Sequence, residues 1–360
     1  MKRYILNGIS LTQKELYGVH RYAAELLREM DRFVPAGKVE VVIPENGARE
    51  LSFNNITVTK VPVDANEKMQ LRRWNWFGFS RYVRDRGGIS FDLTLTLPVG
   101  SCDVIAIHDC IVERCKENAN TLFKKFSRLL YILKAGLNIR RAKAIVTVSR
   151  YSKRDIAALY RIPEKKIAVI YSSWQHFERI VPDESVLERY GLAPDGYFFA
   201  LGSRFYHKNF KWVVEAARQN SQYKFIVSGT DSISSSDTSL NCRLDNLIYA
   251  GYLSDEEVKA LMAHCRAFIQ ASIYEGFGLP PLEAMSAGAP CIVSNAASLP
   301  EIYGNSVRYI DPFAYDGINM DRIMEEPCGS NETALARYSW EHSAHRLYRL
   351  LCLVEEKSKR

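Results

Sequence analysis

The feature that most constrains the fold is a regular alternation of short apolar runs with amphipathic stretches along nearly all of the 360 residues. The runs are rich in β-branched and aromatic residues, as strands are. This order is typical of parallel sheets that are covered by helices on both faces. The runs that we predict as strands are KRYILN, KVEVVIP, ITVTKVP, FDLTLTL, CDVIAIH, AKAIVTVS and KIAVIYS in the first half, and GYFFALGS, YKFIVSG, NLIYAGY, AFIQAS and PCIVSN in the second.

The length suits two domains of ordinary size, and the pattern predicts an α/β protein with two doubly wound, Rossmann-like domains. Residues 174–193 are charged and contain no clear strand, so we place the boundary there. The predicted parts are an N-terminal domain at 1–173, a C-terminal domain at 174–338, and a helix with a tail at 339–360. Ligands of such sheets bind beyond the carboxyl ends of the strands, so the chemistry is expected in the loops that follow strands.

Helices are predicted between these strands at Val19–Met30, Lys208–Arg218, Ser254–His264 and Pro281–Ala287, and a loop at Asp231–Cys242. No stretch is apolar over the roughly 18–20 residues that a membrane-spanning helix needs. The N-terminus carries no export signal, so we expect a cytoplasmic protein. The eight cysteines show no zinc-ligand spacing and are predicted to be reduced core thiols.

Charge is unevenly placed, although the formal net charge is only +7. No acidic residue lies between Asn118 and Asp155, whereas ten lysines and arginines do. Apolar residues interleave with them at helical spacing: Phe123, Phe126, Leu129, Leu130, Leu133 and Leu137. Two interpretations stay open, a helix that packs its apolar face in the core and a contact with an anionic membrane or a lipid phosphate. Nucleic acid is not expected as a partner, because no binding-module signature is present.

A basic loop follows the strand GYFFALG and leads into a helix. It runs from Ser203 to Asn209 and contains Arg204 and Lys208. A helix N-terminus offers free N–H groups and the positive end of its dipole, and the two cations add charge. This loop therefore favours a diphosphate.

A glycine-rich turn follows the strand AFIQAS, in the stretch SIYEGFGLPPLEAMSAGAP. Gly276 and Gly278 let the backbone approach a ligand closely, and prolines at the first helical turn need no N–H. Glu275 precedes the turn and Glu283 lies about one helical turn beyond Pro280. Both carboxylates are placed to accept hydrogen bonds from the hydroxyls of one bound molecule.

The stretch from Ser272 to Asn295 resembles the E-x7-E signature of the retaining glycosyltransferases of family 4, which have the GT-B fold. The resemblance extends over nearly the whole chain, through LYGVHRYAAELL, VIAIHD, IVTVSRYSKRDI, GSRFYHKN and ASLPEIYG. It implies two domains that face each other across a cleft and a C-terminal helix that returns toward the N-terminal domain. The closest likeness is to mannosyl- and rhamnosyl-type transferases of bacterial surface polysaccharides.

The resemblance also implies roles for single residues. Arg204 and Lys208 would hold the diphosphate of the donor, Glu275 the hydroxyls of the transferred sugar, and His108 would lie beside the sugar and the acceptor. These four residues are the catalytic candidates. The resemblance also implies residues that bind the donor, which are Gly18, Gly202, Ser203, Gly276, Phe277, Gly278, Leu279 and, for the ribose, Glu283.

Three positions depart from the family pattern. The first loop reads Leu16-Tyr17-Gly18-Val19 where a glycine pair is common. The domain junction reads Ser172-Ser173-Trp174-Gln175-His176 where many members have Asn-Gly-Val-Asp. His207 replaces the usual arginine before the lysine, which leaves Arg204 as the second cation.

The sequence thus predicts retaining transfer of a hexose or deoxyhexose from a nucleotide sugar, with GDP-mannose favoured, to a saccharide that is lipid-linked. The basic, aromatic stretch 71–86 favours such an acceptor, and with it a location at the cytoplasmic face of the membrane. Front-face substitution is expected, in which the leaving phosphate takes the proton of the acceptor. No metal or cofactor is expected, because no D-x-D motif follows a strand. The alternatives are an epimerase of the same fold and a non-catalytic partner subunit; an NAD-dependent oxidoreductase is disfavoured because no G-x-G-x-x-G follows the first strand.

Overall fold

The computed structural model describes residues 2–14, 16, 18–96, 102–119, 121–202, 205–229 and 244–359. Within these ranges the chain forms two compact units, and each is built on a parallel sheet. The first unit comprises Met1–Cys110, Phe126–Ser172 and Trp340–Arg360, and the second comprises Ile111–Lys125 and Ser173–Ser339. The prediction of two doubly wound α/β domains is confirmed.

The sheet of the first unit has seven strands in the order β3-β2-β1-β4-β5-β6-β7, all parallel to their neighbours. Most of its strands are buried along their whole length, because helices cover both faces of such a sheet. The strands are β1 Tyr4–Asn7, β2 Val39–Pro44, β3 Thr57–Val61, β4 Ile89–Asp92, β5 Val104–Ala106, β6 Ala144–Thr147 and β7 Ile167–Val169.

The sheet of the second unit has six parallel strands in the order β10-β9-β8-β11-β12-β13. Its core is formed by Phe198, Trp212, Phe225 and other buried apolar side chains. The strands are β8 Tyr197–Leu201, β9 Lys224–Ser228, β10 Leu247–Gly251, β11 Ala267–Gln270, β12 Cys291–Ser294 and β13 Arg308–Ile310. The short β13 was not predicted, since it has three residues and two of them are only half-buried.

The α-helices alternate with the strands along the chain. They are α1 Val19–Asp31, α2 Lys68–Arg73, α3 Phe79–Arg86, α4 Ile111–Arg114, α5 Leu122–Arg141, α6 Arg150–Tyr160, α7 Gln175–Glu178, α8 Ser185–Arg189, α9 Phe210–Gln219, α10 Asp255–His264, α11 Pro280–Ser286, α12 Leu299–Tyr303, α13 Met320–Glu325, α14 Asn331–Leu335 and α15 Trp340–Lys357. A π-helical turn, Trp74–Gly78, joins α2 to α3. The helix α10 was predicted accurately because its start is marked in the sequence. Ser254 and Glu257 form a complete capping box there.

The C-terminal helix α15 belongs to the first unit. The Glu355 carboxylate on α15 accepts hydrogen bonds from Lys38 Nζ at 2.7 Å and from the Tyr4 hydroxyl at 2.9 Å. Trp340, at the start of the helix, packs edge-to-face on Tyr22 with ring centroids 5.9 Å apart. The predicted return of this helix to the N-terminal domain is therefore confirmed.

Two boundaries differ from the sequence prediction for identifiable reasons. The strand predicted at FDLTLTL ends at Asp92, because the Asp92 carboxylate accepts hydrogen bonds from the backbone N–H and the hydroxyl of Thr94 and turns the chain. The helix predicted from Lys208 begins only at Phe210, because Asn209 has a left-handed backbone with φ 53°. The loop predicted at 231–242 lies outside the described residues.

The apolar face of α5 is exposed in the structure. Phe126 has 59% of its surface accessible and Leu133 has 57%, and Phe123, Leu129, Leu130 and Leu137 are exposed as well. The interpretation that this face packs in the core is wrong.

Cysteine placement agrees with the prediction only in part. Five of the seven described cysteines are buried free thiols, whereas Cys328 is exposed and Cys352 is half-buried. Cys242 lies outside the described residues. In the part of the chain that the structure describes, no helix has the length and the apolar character to span a bilayer.

Candidate functional site

Two neighbouring strands of the second sheet carry candidate residues in the loops that follow them. β8 and β11 pair in parallel, with Phe198 opposite Ala267, so their carboxyl ends lie at the same edge. Lys208 follows β8 and Glu275 follows β11, which is why residues 67 positions apart in sequence meet. Ser203 and Arg204 of the same loop lie outside the described residues, and their roles stay predictions.

Lys208 and Glu275 form an ion pair at this edge. Lys208 Nζ lies 2.8 Å from Glu275 Oε1, and the same oxygen accepts a hydrogen bond from Gln270 Nε2 at 2.7 Å. Burial alone would raise the pKa of the Glu275 carboxyl, but the positive charge of Lys208 leads the effects that lower it, and the net pKa is lowered. Glu275 is therefore a buried carboxylate that is ionised at neutral pH and can accept hydrogen bonds from hydroxyls.

Gly202 and Asn209 position the Lys208 side chain. At Gly202 φ is 153°, and a Cβ there would lie 3.4 Å from Lys208 Cδ. The Asn209 side-chain amide donates to the carbonyl oxygens of Ala271 at 3.0 Å and Pro312 at 2.7 Å. The loop is thus fastened to the strand end that carries Glu275.

His207, which stands where the family usually has arginine, is buried and neutral. Its Nδ1 lies 3.1 Å from Asn118 Nδ2, and Asn118 Oδ1 accepts the Tyr206 N–H at 3.0 Å. That second bond orients the amide, so Nδ1 is the acceptor. Burial lowers the pKa of His207 to about 4. His207 therefore adds no positive charge beside Lys208.

Two hydrogen bonds to carbonyl oxygens hold the glycine-rich turn, and its tight packing favours glycine. Gly278 has φ 80°, which favours glycine, and a Cβ at this position would lie 2.4 Å from Leu299 Cδ2, so a larger residue would force the Leu299 side chain to shift. The carbonyl oxygen of Gly278 accepts a hydrogen bond from the Tyr303 hydroxyl, and that of Glu275 accepts one from the Ser298 hydroxyl at 2.9 Å.

Gly276 and Phe277 are buried in this turn, and Leu279 immediately precedes α11. The Phe277 ring packs edge-to-face on Tyr338. The backbone of the turn is consequently fixed before any ligand arrives.

Glu283 lies in the first turn of α11, where the helix dipole favours a negative charge. Its Oε1 is 2.8 Å from His176 Nε2, and both side chains are almost completely buried. His176 belongs to the junction segment that departs from the family pattern. This contact fixes the direction of the Glu283 carboxylate.

His108 follows β5 in the first unit and is buried. Its Nε2 lies 3.0 Å from the carbonyl oxygen of Leu93, which can only accept, so Nε2 carries the proton. Burial lowers the pKa of His108 to about 4, and its ring packs edge-to-face on Tyr22 of α1 at 4.8 Å. His108 is therefore a neutral imidazole at pH 7. Gly18 caps the start of α1 with φ 44°.

Comparisons with known proteins identify the family of the chain. The family described as Glycosyl transferases group 1 matches residues 188–320, and the family described as Glycosyltransferase Family 4 matches residues 17–173. The O-antigen chain mannosyltransferase B of Escherichia coli is 32% identical over 261 residues, which cover 66% of this chain and 67% of that protein. The chain is a family 4 glycosyltransferase. It is a hexosyltransferase that uses a nucleotide sugar as donor.

Two further similarities bear on this glycosyltransferase. The GDP-mannose:cellobiosyl-diphosphopolyprenol alpha-mannosyltransferase of Komagataeibacter xylinus is 26% identical over 221 residues, which cover 53% of this chain and 56% of that protein. The structure of sucrose-phosphate synthase from Thermosynechococcus elongatus superposes with a TM-score of 0.71 at 15% identity, and covers 99% of this chain and 100% of that one. The second similarity concerns the fold, which is GT-B.

Several residues of this candidate site were missed by sequence reasoning. Gln270 and Ser272, at the end of β11, make contact with each other and with Glu275. Gln270 is the last residue of β11 and Ser272 follows two positions later, and this place at the carboxyl end of a strand was a usable signal. His176 and Asn118 act on Glu283 and His207 from distant parts of the sequence, and no spacing pattern announced them.

Metal binding has no visible support in the described ranges, where no group of three or more histidine, cysteine or acidic side chains is placed to hold an ion. The absence of a metal requirement stays a prediction.

Proposed function

We propose that this glycosyltransferase moves a mannosyl residue from GDP-mannose to a lipid-linked saccharide, with retention of the anomeric configuration, in the synthesis of a surface polysaccharide. The observation that carries the proposal is the ion pair of Lys208 with Glu275 at the carboxyl edge of the second sheet. The names of the Escherichia coli and Komagataeibacter relatives support mannose as the sugar, and the second also supports GDP and a diphosphopolyprenol carrier.

Glu275 holds the sugar in this proposal. An ionised, buried carboxylate binds hydroxyl groups strongly, because its hydrogen bonds are charge-assisted and water is excluded. Its Oε1 is already occupied by Lys208 and Gln270. The carboxylate is therefore a fixed acceptor, and it does not serve as the nucleophile of a two-carboxylate mechanism.

Lys208 stabilises the leaving nucleotide. The acceptor hydroxyl oxygen forms a bond to the anomeric carbon on the face that the nucleotide leaves, and the bond from that carbon to the phosphate oxygen breaks. The proton of the acceptor passes to the departing phosphate, so charges and atoms balance. Negative charge grows on the diphosphate along this path, and the Lys208 ammonium, with Arg204, offsets it.

Glu283 and His176 serve the nucleoside. The resemblance implies that Glu283 binds the ribose hydroxyls, and His176 keeps that carboxylate in one direction through its 2.8 Å contact. Binding of the nucleoside is thus assigned to the His176–Glu283 contact, and departure of the diphosphate to the Lys208–Glu275 ion pair.

His108 is assigned to the acceptor and the transferred sugar. As a neutral imidazole it exchanges hydrogen bonds with hydroxyls and adds no charge. The enzyme itself would work in the cytoplasm at the face of the membrane, where a lipid-linked acceptor is found.

A thermal-shift screen with UDP-glucose, GDP-mannose, dTDP-rhamnose and ADP-glucose tests the donor. A ligand present at about 100 times its dissociation constant stabilises the folded state by about 2.7 kcal/mol. We expect the largest shift with GDP-mannose, and a larger shift with another donor would contradict the assignment. Transfer to a lipid-linked acceptor, followed by NMR of the product, then reports the anomeric configuration, and inversion would contradict front-face substitution.

Donor turnover without an acceptor separates the enzyme classes. We expect only slow hydrolysis of the nucleotide sugar. Rapid conversion to an isomeric nucleotide sugar would indicate an epimerase, and binding without any turnover would indicate a partner subunit.

A further inference from the structure

The helix α5 carries a continuous apolar stripe that none of the described residues of its unit covers. Its members recur at intervals of three and four residues, so they lie on one face of the helix. About half or more of each side chain is accessible to solvent. The members within the first unit are Phe126, Leu129, Leu130, Leu133 and Leu137.

The opposite face of α5 fixes the helix to its unit. Ala135, Gly136, Asn138 and Ile139 are buried there, and the Lys166 ammonium binds the carbonyl oxygen of Ile139 at 2.8 Å. The small residues Ala135 and Gly136 let α5 pack closely against the rest of its unit. The stripe is therefore held facing outward by the fold, and it does not result from a helix that has failed to pack.

A second segment adds to the stripe, although it lies some fifty residues earlier in the sequence. Lys134 of α5 sits over the ring of Trp76 with Nζ 5.7 Å from its centroid, and the guanidinium of Arg72 lies 4.5 Å from the same ring. Phe77, next to Trp76 in the π-helical turn, is 60% exposed. Aromatic and basic side chains of this kind are enriched where a protein meets the headgroups of a bilayer.

Charge decides between the occupants that could cover this surface. The helix α5 itself carries six basic residues and no acidic one. A second copy of the same chain would bring two basic faces together, which is repulsive. A bilayer with anionic lipids satisfies both features, because it attracts the cations and accepts the apolar side chains.

We propose that α5, together with the turn Trp74–Gly78, is the surface by which this enzyme docks on an anionic bilayer. The helix lies parallel to the membrane and inserts its apolar stripe at the boundary between headgroups and acyl chains. The role of this docking rests on the proposed function, because a lipid-linked acceptor is reached at the membrane. The docking itself requires neither donor nor acceptor.

Co-sedimentation of the full chain with vesicles tests the docking without any substrate. We expect binding to vesicles of phosphatidylglycerol and phosphatidylcholine, and much weaker binding to phosphatidylcholine alone. The double variant Leu130→Asn/Leu133→Asn should reduce the partition coefficient about tenfold or more, since each exposed leucine loses its apolar contact. The double variant Lys125→Gln/Arg140→Gln should reduce it about tenfold, and 0.5 M salt should weaken the wild type as well.

A matched control uses exposed apolar residues of the second unit. Val181→Asn/Phe313→Asn removes two exposed apolar side chains that belong neither to α5 nor to the turn Trp74–Gly78, and its partition coefficient should equal that of the wild type. The hydrolysis of GDP-mannose in solution should be the same in all these variants. If that hydrolysis is absent in the wild type while docking is present, the proposed function fails and the docking surface stands.

Three results would overturn the inference. One is equal binding to anionic and zwitterionic vesicles, and another is unchanged binding by the leucine variant. The third is sedimentation equilibrium that shows a wild-type dimer in the absence of lipid which the leucine variant abolishes, because the stripe would then be an interface between two copies.

Discussion

The side chains at the strand ends of the two sheets differ in charge. At the edge of the second sheet, Lys208 and Glu275 form a charged pair, and His176 fixes Glu283. At the end of β5 in the first unit, His108 is a neutral imidazole whose neighbours are the Leu93 carbonyl and the Tyr22 ring. The charged edge suits a ligand with a fixed diphosphate, whereas the neutral one suits hydroxyl groups. The predictions below test this contrast.

Glu275→Gln should have the largest effect of the substitutions considered. The amide keeps the size of the side chain but loses the charge that binds the sugar hydroxyls and pairs with Lys208. Because hydrogen bonds to a charged group contribute about 1.5–3 kcal/mol each, kcat/KM should fall about 100-fold or more. Glu215→Gln, on α9 of the same unit, removes a surface carboxylate that pairs with Arg218 and should leave kcat/KM unchanged. Equal losses in both variants would contradict the role of Glu275.

Gly202→Ala should displace Lys208 and lower kcat about tenfold. The alanine Cβ would make an ordinary van der Waals contact with Lys208 Cδ at 3.4 Å, but φ 153° is strained for any residue but glycine, and relief of that strain would shift the backbone next to Lys208. Gly317→Ala provides the control, because Gly317 has φ 68° with open space around it. Both variants should lose stability in urea, and only Gly202→Ala should lose turnover. A loss of turnover in Gly317→Ala as well would mean that strain alone explains the effect.

His176→Asn should raise KM for the donor several-fold and leave kcat nearly unchanged, because it frees the direction of the Glu283 carboxylate. The affinity for the nucleoside should fall, whereas the affinity for inorganic diphosphate should not. His264→Asn is a matched change, since His264 also contacts a glutamate, Glu184, but at the surface. If the two variants behave alike, the buried pair has no role in binding.

Stability should fall in mild acid because of the buried neutral histidines. The pKa of His108 is about 4, below the value of about 6.5 in an unfolded chain. Between these values the unfolded state binds the additional proton, so the free energy of unfolding rises with pH through this window and reaches its full value above about 6.5. The contribution of a shift of this size is about 3 kcal/mol.

Urea midpoints measured from pH 4.5 to 7.5 check this expectation. His108→Asn should flatten the dependence, and the exposed His342→Asn should not. An unchanged slope in His108→Asn would mean that other groups cause the acid sensitivity.

The meeting of Lys208 and Glu275 at one sheet edge could be predicted in outline from local order, whereas their roles toward a donor stay predictions. Glu275, the glycine turn and Glu283 lie within nine residues, and Lys208 follows a strand that the sheet order places beside them. The contacts of His176 and Asn118 could not be predicted, since they depend on loops that come together only in the folded unit. The exposure of α5 was equally hidden, because an apolar stripe looks the same in sequence whether it faces a core or solvent.

The predicted strand and helix boundaries were wrong where a single residue, by its side-chain hydrogen bonds or its backbone conformation, interrupts the regular structure. Asp92 ends β4 by binding Thr94, and Asn209 delays α9 by its left-handed conformation. Both residue types are known for such local bonds and conformations. A propensity pattern averages over several residues, so it does not show the effect of a single residue on the end of a strand or the start of a helix.

The assignment of Lys208 to the diphosphate is tested most directly by titrating wild type and Lys208→Ala with GDP and with guanosine. Lys211→Ala, three residues further along the chain with Nζ over the Tyr315 ring, removes an equal charge and serves as the control. We predict that Lys208→Ala weakens GDP binding about tenfold or more and leaves guanosine binding as it is, while Lys211→Ala changes neither. Unchanged GDP binding by Lys208→Ala, or an equal loss for GDP and guanosine, would contradict the account.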